Sequence, residues 1–119
     1  MLGWVAALLL TAMVAVGCSS GAPESREEVL ARAQRAAPAD QKLAALYASS
    51  CKACHSAADS GAPLVQDHAA WDARWAKGMP ALLKSTVGGL GGMPAGGQCF
   101  ACSSADYEGL IRFLAGHEG

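Results

Sequence analysis

The sequence has no cluster of basic side chains, and its nine Lys and Arg residues nearly balance ten Asp and Glu. Nucleic acid is therefore not expected as a partner. The sequence also lacks stretches in which apolar and polar residues alternate, as they do in a half-buried strand. We therefore predict an all-α protein, and 119 residues leave room for one small domain.

Charge is also missing from the first 17 residues, MLGWVAALLLTAMVAVG. This apolar run is shorter than the roughly 20 residues that a membrane-spanning helix needs. Its position at the N-terminus is typical of an export signal. We therefore predict that residues 1–17 are a cleaved signal peptide.

The four residues from Ala15 to Cys18 resemble a bacterial lipobox. The resemblance implies cleavage before Cys18 and lipidation of its thiol, which would tether a periplasmic protein to a membrane through a lipid anchor. Cleavage by ordinary signal peptidase and an uncleaved anchor are the alternatives. All three interpretations imply export.

Residues 18–38 are polar, rich in alanine and free of large aromatic side chains. This composition predicts a flexible tether with, at most, a nascent helix between Glu24 and Ala36. The compact domain is predicted to span residues 39–119. Asp40 is expected to cap its first helix, which carries an apolar stripe.

Cap and breaker residues predict three further helices. Asp67 is expected to cap the second helix, Pro80 to open a short third one, and Ser103 to cap the last together with Asp106. The first and last helices each have an apolar face. We predict that these two faces pack on each other.

The segment CKACH places Cys51, Cys54 and His55 in one helical turn. A redox dithiol of the thioredoxin type would follow a strand, and none is predicted. Structural zinc could recruit Cys99 and Cys102, but their separation from the first pair is too long for paired zinc knuckles, and zinc leaves His55 without a role. Covalent haem c uses all three residues, with two thioether bonds and His55 as the proximal iron ligand.

An electron carrier needs a protein ligand on the other side of the iron. Met93 lies in GGMPAGGQ, a loop whose glycines and proline allow the backbone to lie against a haem. We predict Met93 as this ligand. Met79, His68 and His117 are the alternatives.

Trp71 has two interpretations. Trp71 and Trp75 are four residues apart on one helix and can both belong to the core. Alternatively, the indole N–H of Trp71 donates to a haem propionate. Arg74 and Lys77 are candidates for neutralising a propionate.

The segment from CKACH through Gly61-Ala62-Pro63 and Gly92-Met93-Pro94 to Cys99-Phe100-Ala101-Cys102 resembles cytochrome c5, a family of class I monohaem cytochromes. The second cysteine pair is its most specific part. The resemblance implies a class I cytochrome c fold of three to five helices, His55 and Met93 as axial ligands, and a disulfide between Cys99 and Cys102. It also implies that the Pro63 carbonyl accepts a hydrogen bond from His55.

Together these features predict a monohaem c-type cytochrome that passes single electrons by outer-sphere transfer. Its partners would be redox proteins that dock transiently at the haem edge, and no small-molecule substrate or enzymatic activity is expected. The alternative functions are a haem enzyme, or a gas or redox sensor subunit with an open sixth iron position. A subunit of a larger respiratory or dehydrogenase complex is a further alternative.

Overall fold

The structure is a computed structural model that describes residues 21–118. The predicted signal peptide and Cys18 lie outside the described residues. The α-helices are α1 (Arg26–Arg35), α2 (Gln41–Leu46), α3 (Lys52–His55), α4 (His68–Trp75), α5 (Met79–Gly88) and α6 (Ser104–Ala115). A π-helical turn, Tyr47–Cys51, joins α2 to α3, and a 3₁₀ turn, Ala95–Gln98, precedes α6. Within the described residues there is no strand, so the all-α prediction is confirmed.

The helical run from α2 to α3 carries the CKACH segment. Asp40 begins it, because its carboxylate accepts a hydrogen bond from the backbone N–H of Leu43 at 2.9 Å. The run continues through the π-helical turn without a break to His55. A single rigid element therefore connects the domain's first cap to its cysteine pair.

Helices α2 and α6 pack closely. A side-chain carbon at Gly109 of α6 would lie only 2.7 Å from Cδ1 of Leu43, so any larger residue there would displace the Leu43 side chain. One turn further on, the rings of Tyr47 and Phe113 meet edge to face with centroids 4.9 Å apart. Both rings are fully buried. The predicted packing of the first and last helices of the domain is therefore present.

Helix α1 departs from the expected tether. Ser25 and Glu28 form a reciprocal capping box at its start. Val29 and Ala33, four residues apart, are buried in the main core. The segment is therefore a docked helix over 26–35 and not a flexible tether there. Two apolar positions one turn apart suffice because the rest of the domain supplies the surface that they contact.

Polar contacts also hold α1 in place. Arg26 donates to the carbonyl of Ala58 at 3.1 Å, and Arg32 donates to the carbonyl of Gln66 at 2.9 Å. Both acceptors lie in the connection between α3 and α4. Arg32 also forms an ion pair with Glu24. These charges do more than face solvent, because they tie α1 to the chain that follows CKACH.

The connection between α3 and α4 is fixed to both of its neighbours. The Val65 N–H donates to the carbonyl of His55 at 2.9 Å, and the Gln66 N–H donates to the carbonyl of Leu114 in α6 at 2.7 Å. Leu64 and Val65 are buried. The chain after CKACH is thereby folded back beneath the histidine.

Glycine and proline set the start of α5 as expected. Gly78 precedes it with φ +86°, and Pro80 occupies its first turn. Within residues 21–118, none of the helices is both long enough and apolar enough to cross a membrane.

Candidate functional site

The cysteines of CKACH lie in one helical turn and differ in exposure. Cys51 is half-buried and Cys54 is exposed, and neither forms a disulfide. Burial raises the pKa of the Cys51 thiol, although its contact with the Ser50 hydroxyl opposes this. Residues three apart on a helix lie on nearly the same face. Both thiols are therefore placed to meet one flat ligand.

His55 has the environment of a metal-binding imidazole. Its side chain is only 6% exposed, and its Nδ1 lies 2.7 Å from the carbonyl oxygen of Pro63. A carbonyl can only accept, so Nδ1 carries the proton and Nε2 keeps its lone pair. Burial lowers the pKa of His55, the Pro63 hydrogen bond opposes this, and the charge of Arg74 lowers it further. The imidazole is thus held neutral and oriented, and the predicted His55–Pro63 contact is present.

This donor set fits haem c. Two thiols that are not paired with each other provide the thioether bonds, and the adjacent imidazole offers a bare Nε2 to iron. The Pro63 carbonyl fixes the ring from behind, as a hydrogen bond to a metal-bound histidine does. Cys51, Cys54, His55 and Pro63 are therefore the residues that would hold the group.

Met93 lies in a tight loop between α5 and the 3₁₀ turn. Its N–H donates to the carbonyl of Leu90 at 2.9 Å, and its carbonyl accepts from the Leu90 N–H at 3.1 Å. A side-chain carbon at Gly97 would come within 3.2 Å of the Met93 methyl group. The 3₁₀ turn contacts the π-helical turn that ends at Cys51. The loop thus lies beside the cysteine-bearing helix, and Met93 is half-buried in it.

The second cysteine pair forms a disulfide between Cys99 and Cys102. The Cys102 N–H donates to the carbonyl of Cys99 at 3.1 Å, which closes a turn. The hydroxyl of Tyr107 lies 3.1 Å from the carbonyl of Gly96 and 3.0 Å from that of Cys99. The sequence did not predict this role of Tyr107, because nothing near a tyrosine in the first turn of a helix indicates that its hydroxyl will bond to the preceding loop.

Trp71 is a core residue. Its indole N–H donates to the Leu64 carbonyl at 2.8 Å, and the side chain is buried. This contact agrees with the core interpretation of Trp71 and not with the alternative, in which the same indole N–H donates to a propionate. Its ring centroid lies 5.9 Å from that of His55. Trp71 therefore packs beside His55. Its hydrogen bond also holds Leu64, which is next to Pro63, whose carbonyl accepts the hydrogen bond from His55.

The remaining candidates lie elsewhere in the fold. Met79 is half-buried at the start of α5, and Lys77 is exposed. Arg74 donates to the carbonyl of Ala70 on its own helix. The rings of His68 and His117 meet edge to face, with centroids 5.9 Å apart. His117 is half-buried, and its ring stacks on that of Trp75.

Comparisons with known proteins agree with this geometry. Residues 38–114 match the protein family described as cytochrome C oxidase, cbb3-type, subunit III. The chain is 34% identical to a cytochrome c5 of Ectopseudomonas mendocina, over 60% of this chain and 84% of that protein. It is 40% identical to a cytochrome c5 of Azotobacter vinelandii, over 56% of this chain and 82% of that protein.

A third relative is a cytochrome c-555 of Chlorobaculum tepidum, 36% identical over 60% of this chain and 70% of that protein. No solved structure matches the chain significantly. Helix α1 precedes the region that the family covers, residues 38–114. The match therefore includes the complete CKACH site and the loop with Met93. Because these similarities and the donor set agree, the chain belongs to this cytochrome c family and is a cytochrome c5-like monohaem cytochrome that carries covalent haem c and takes part in electron transfer.

Proposed function

We propose that this cytochrome carries single electrons between redox proteins by outer-sphere transfer, with His55 and Met93 as the axial ligands of its iron. The observation that supports this best is the buried His55, whose Nδ1–H is committed to Pro63 while Nε2 is bare. Haem supplies a one-electron couple between ferrous and ferric iron, which a thioether ligand biases toward the ferrous form. No small-molecule substrate is part of this proposal.

The neutral state of His55 supports a permanent ligand and not an exchanging acid or base. Its burial and the nearby Arg74 both disfavour the imidazolium form. The Pro63 carbonyl keeps Nδ1 protonated, so the ring cannot turn without losing a 2.7 Å hydrogen bond. A ligand fixed in this way changes its geometry little when the iron changes its charge.

The Met93 loop supports a closed sixth position. Two backbone hydrogen bonds to Leu90 restrict the loop, and the disulfide closes the chain a few residues later. A restricted loop loses little conformational entropy when its thioether binds iron. A firmly held thioether would exclude peroxide and carbon monoxide from the iron, as an electron carrier requires.

Exposed apolar side chains flank Met93 in the sequence. Phe100 is 95% exposed, Leu90 is 65% exposed and Val87 is 54% exposed. Redox proteins meet through small, short-lived interfaces. We infer that partner proteins dock over the segment 87–100, close to the Met93 side of the haem.

Membership of a larger complex is the second candidate. The family that residues 38–114 match is described as a subunit of an oxidase, and large exposed apolar side chains are typical of a protein interface. A native gel of detergent-solubilised membranes distinguishes the two. A band near the mass of the single chain supports a free carrier, and a band of several hundred kilodaltons supports a subunit.

We also propose that the mature protein lies in the periplasm and is tethered through a lipidated Cys18. The resemblance of residues 15–18 to a lipobox supports this. The other four cysteines already have assignments to haem or to the disulfide. Mass spectrometry of the mature N-terminal peptide should show acyl chains on Cys18. A Cys18→Ser variant should move from the membrane to the soluble fraction, and an unmodified N-terminus would refute the tether.

The optical spectrum of the purified protein tests the electron-transfer proposal. Oxidised protein should be low-spin with the weak band of Met-ligated ferric iron, and reduced protein should be indifferent to carbon monoxide. Met93→Ala should abolish the band and allow carbon monoxide to bind. Met79→Ala is the matched control and should leave both properties unchanged. High-spin iron that binds carbon monoxide in the native chain would overturn the proposal in favour of an enzyme or sensor.

A further inference from the structure

Outside the haem site, three potential metal ligands converge from two parts of the chain. His68 and Asp72 lie one turn apart on α4, and His117 follows the end of α6. One ligand atom from each side chain lies within 4.8 Å of the others. The cluster therefore brings two imidazoles and one carboxylate to one place.

The distances are close to those of a metal centre. Nδ1 of His68 lies 3.1 Å from Oδ1 of Asp72. Two ligands with bonds of about 2.0 to 2.1 Å in a tetrahedral site are about 3.3 Å apart. The ligand atoms all lie within 4.8 Å of one another, so the most distant pair has to close by at most about 1.5 Å to reach this value. Asp72 and His68 are exposed, so such a movement is not hindered by a packed core.

A glycine leaves room for the imidazole of His68. A side-chain carbon at Gly116 would lie 3.1 Å from both Cε1 and Nε2 of His68. Gly116 ends α6 with φ +74°. The glycine therefore both turns the chain toward α4 and leaves room for the ring.

The imidazole of His117 is held by stacking. Its ring lies parallel to Trp75, with centroids 4.4 Å apart and an angle of 5°. Its backbone N–H donates to the carbonyl of Arg112 at 2.8 Å. Its Nε2 is buried and has no hydrogen-bond partner among the described residues. A buried ring nitrogen without a partner is unfavourable, and a metal ion would satisfy it.

Both acidic and basic side chains lie around the cluster. A cleft of about 450 Å³ opens beside His68 and is lined also by Glu24, Arg32, Gln66, Gly116 and Glu118. Glu24 and Arg32 neutralise each other in an ion pair. Glu118 adds a carboxylate. The guanidinium of Arg112 lies 5.7 Å from the ring of Trp75, the residue on which His117 stacks. Among the described residues that line the cleft, the positive charge of Arg32 is paired with Glu24, so a cation there would meet Glu118, with Asp72 beside His68.

We propose that His68, Asp72 and His117 bind one divalent transition-metal ion of the zinc or copper type, at a site separate from the haem iron. Two imidazoles and one carboxylate suit these ions, and the exposed side leaves a position for water. The bound ion would link the chain after α6 to the first turns of α4. It would thereby stabilise the C-terminal segment.

Calorimetric titration of Zn²⁺ into the haem-loaded, tag-free protein tests this site. Haem loading is essential, because the thiols of Cys51 and Cys54 would otherwise bind zinc. The expected result is saturable binding of one ion, weakened at least tenfold in His68→Ala, His117→Ala and Asp72→Asn. Asp59→Asn removes an exposed carboxylate elsewhere and should bind zinc as the native chain does.

Thermal unfolding supplies the second readout. Zn²⁺ should raise the midpoint of the native chain and of Asp59→Asn, and should leave the midpoints of the three ligand variants unchanged. An unaltered haem spectrum shows that each variant is folded. The absence of saturable binding would overturn the proposal, and so would ligand variants that bind zinc as tightly as the native chain.

Discussion

The chain contains two Cys-x-x-Cys pairs that have the same spacing and different structures. Cys51 and Cys54 lie in a continuous helical run, and neither is oxidised. Cys99 and Cys102 lie in a turn and form a disulfide with Cα atoms 5.4 Å apart. Spacing alone therefore does not decide what such a pair does.

The backbone before each pair explains the difference. The first pair begins at Cys51, the last residue of the π-helical turn, and the helix directs both thiols to one face. The second pair follows Gly96, Gly97 and Gln98, all with positive φ. That left-handed stretch turns the chain back, so that Cys102 folds over Cys99. A helix presents two thiols to a ligand, while a turn presents them to each other.

Replacing the first pair should have the largest effect. In Cys51→Ser/Cys54→Ser, no thioether can form, so covalent haem should be lost completely. Haem staining after denaturing electrophoresis and the mass of the intact chain measure this. Cys99→Ser/Cys102→Ser is the matched control and should keep its haem. Equal covalent haem in both double variants would show that the two pairs are interchangeable and would refute the comparison.

Replacing the second pair should cost stability only. A disulfide that closes four residues is worth about 2 kcal/mol by the chain-entropy estimate. We therefore expect Cys99→Ser/Cys102→Ser to lower the free energy of unfolding by about this amount, as measured by denaturant titration of the haem-loaded protein. A variant as stable as the native chain would show that the turn alone holds the Met93 loop.

The left-handed stretch can be tested at Gly97. Its φ of +56° is unfavourable for alanine by about 1 to 2 kcal/mol, and the new methyl would press on the Met93 methyl at 3.2 Å. Gly97→Ala should lower stability and weaken the Met–iron band. Gly61→Ala is the control, because Gly61 also has positive φ but open space around it. It should lose stability without a change in the band, and an identical spectral change in both variants would contradict the role of Gly97.

The acid dependence of α6 should show the smallest effect. Lys42 and the capping interactions with Ser103 lower the pKa of Asp106 from 3.8 to about 2. Because its pKa is lower in the folded state, Asp106 stabilises the fold fully above about pH 4, and this contribution is lost as pH falls toward 2. Asp106→Asn should therefore have a lower thermal midpoint at pH 7 and a flatter acid dependence. A native acid profile in this variant would contradict the assignment, and Asp59→Asn, an exposed site, should leave the profile unchanged.

These expected effects assign haem attachment to the first cysteine pair and support of the Met93 loop to the second pair. They also separate the rigid helical run from the loop, since the change at Gly97 should reach the iron through Met93. Changes in the α2–α6 crossing, where Gly109 meets Leu43, should act on stability without a specific spectral change.

Much of the fold was predictable from local signals. Asp40 and the pair Ser103 and Asp106 cap their helices as predicted. Asp67 begins α4 without a side-chain hydrogen bond. For α1, a nascent helix within a tether was predicted between Glu24 and Ala36; the helix is present, with a capping box of Ser25 and Glu28, but it is docked on the domain. Its burial could not be predicted, because Val29 and Ala33 gain their contacts only from distant parts of the chain.

The sequence by itself determined the haem attachment site, because CKACH contains the whole donor set within five consecutive residues. It also determined the helix starts, since caps act within one turn. Only the tertiary structure decided that Trp71 bonds to Leu64, that Tyr107 supports the second cysteine pair and that His117 meets His68. The physical reason is that caps and the attachment motif act within about one helical turn, while each of these contacts joins two different structural elements and arises only when those elements pack.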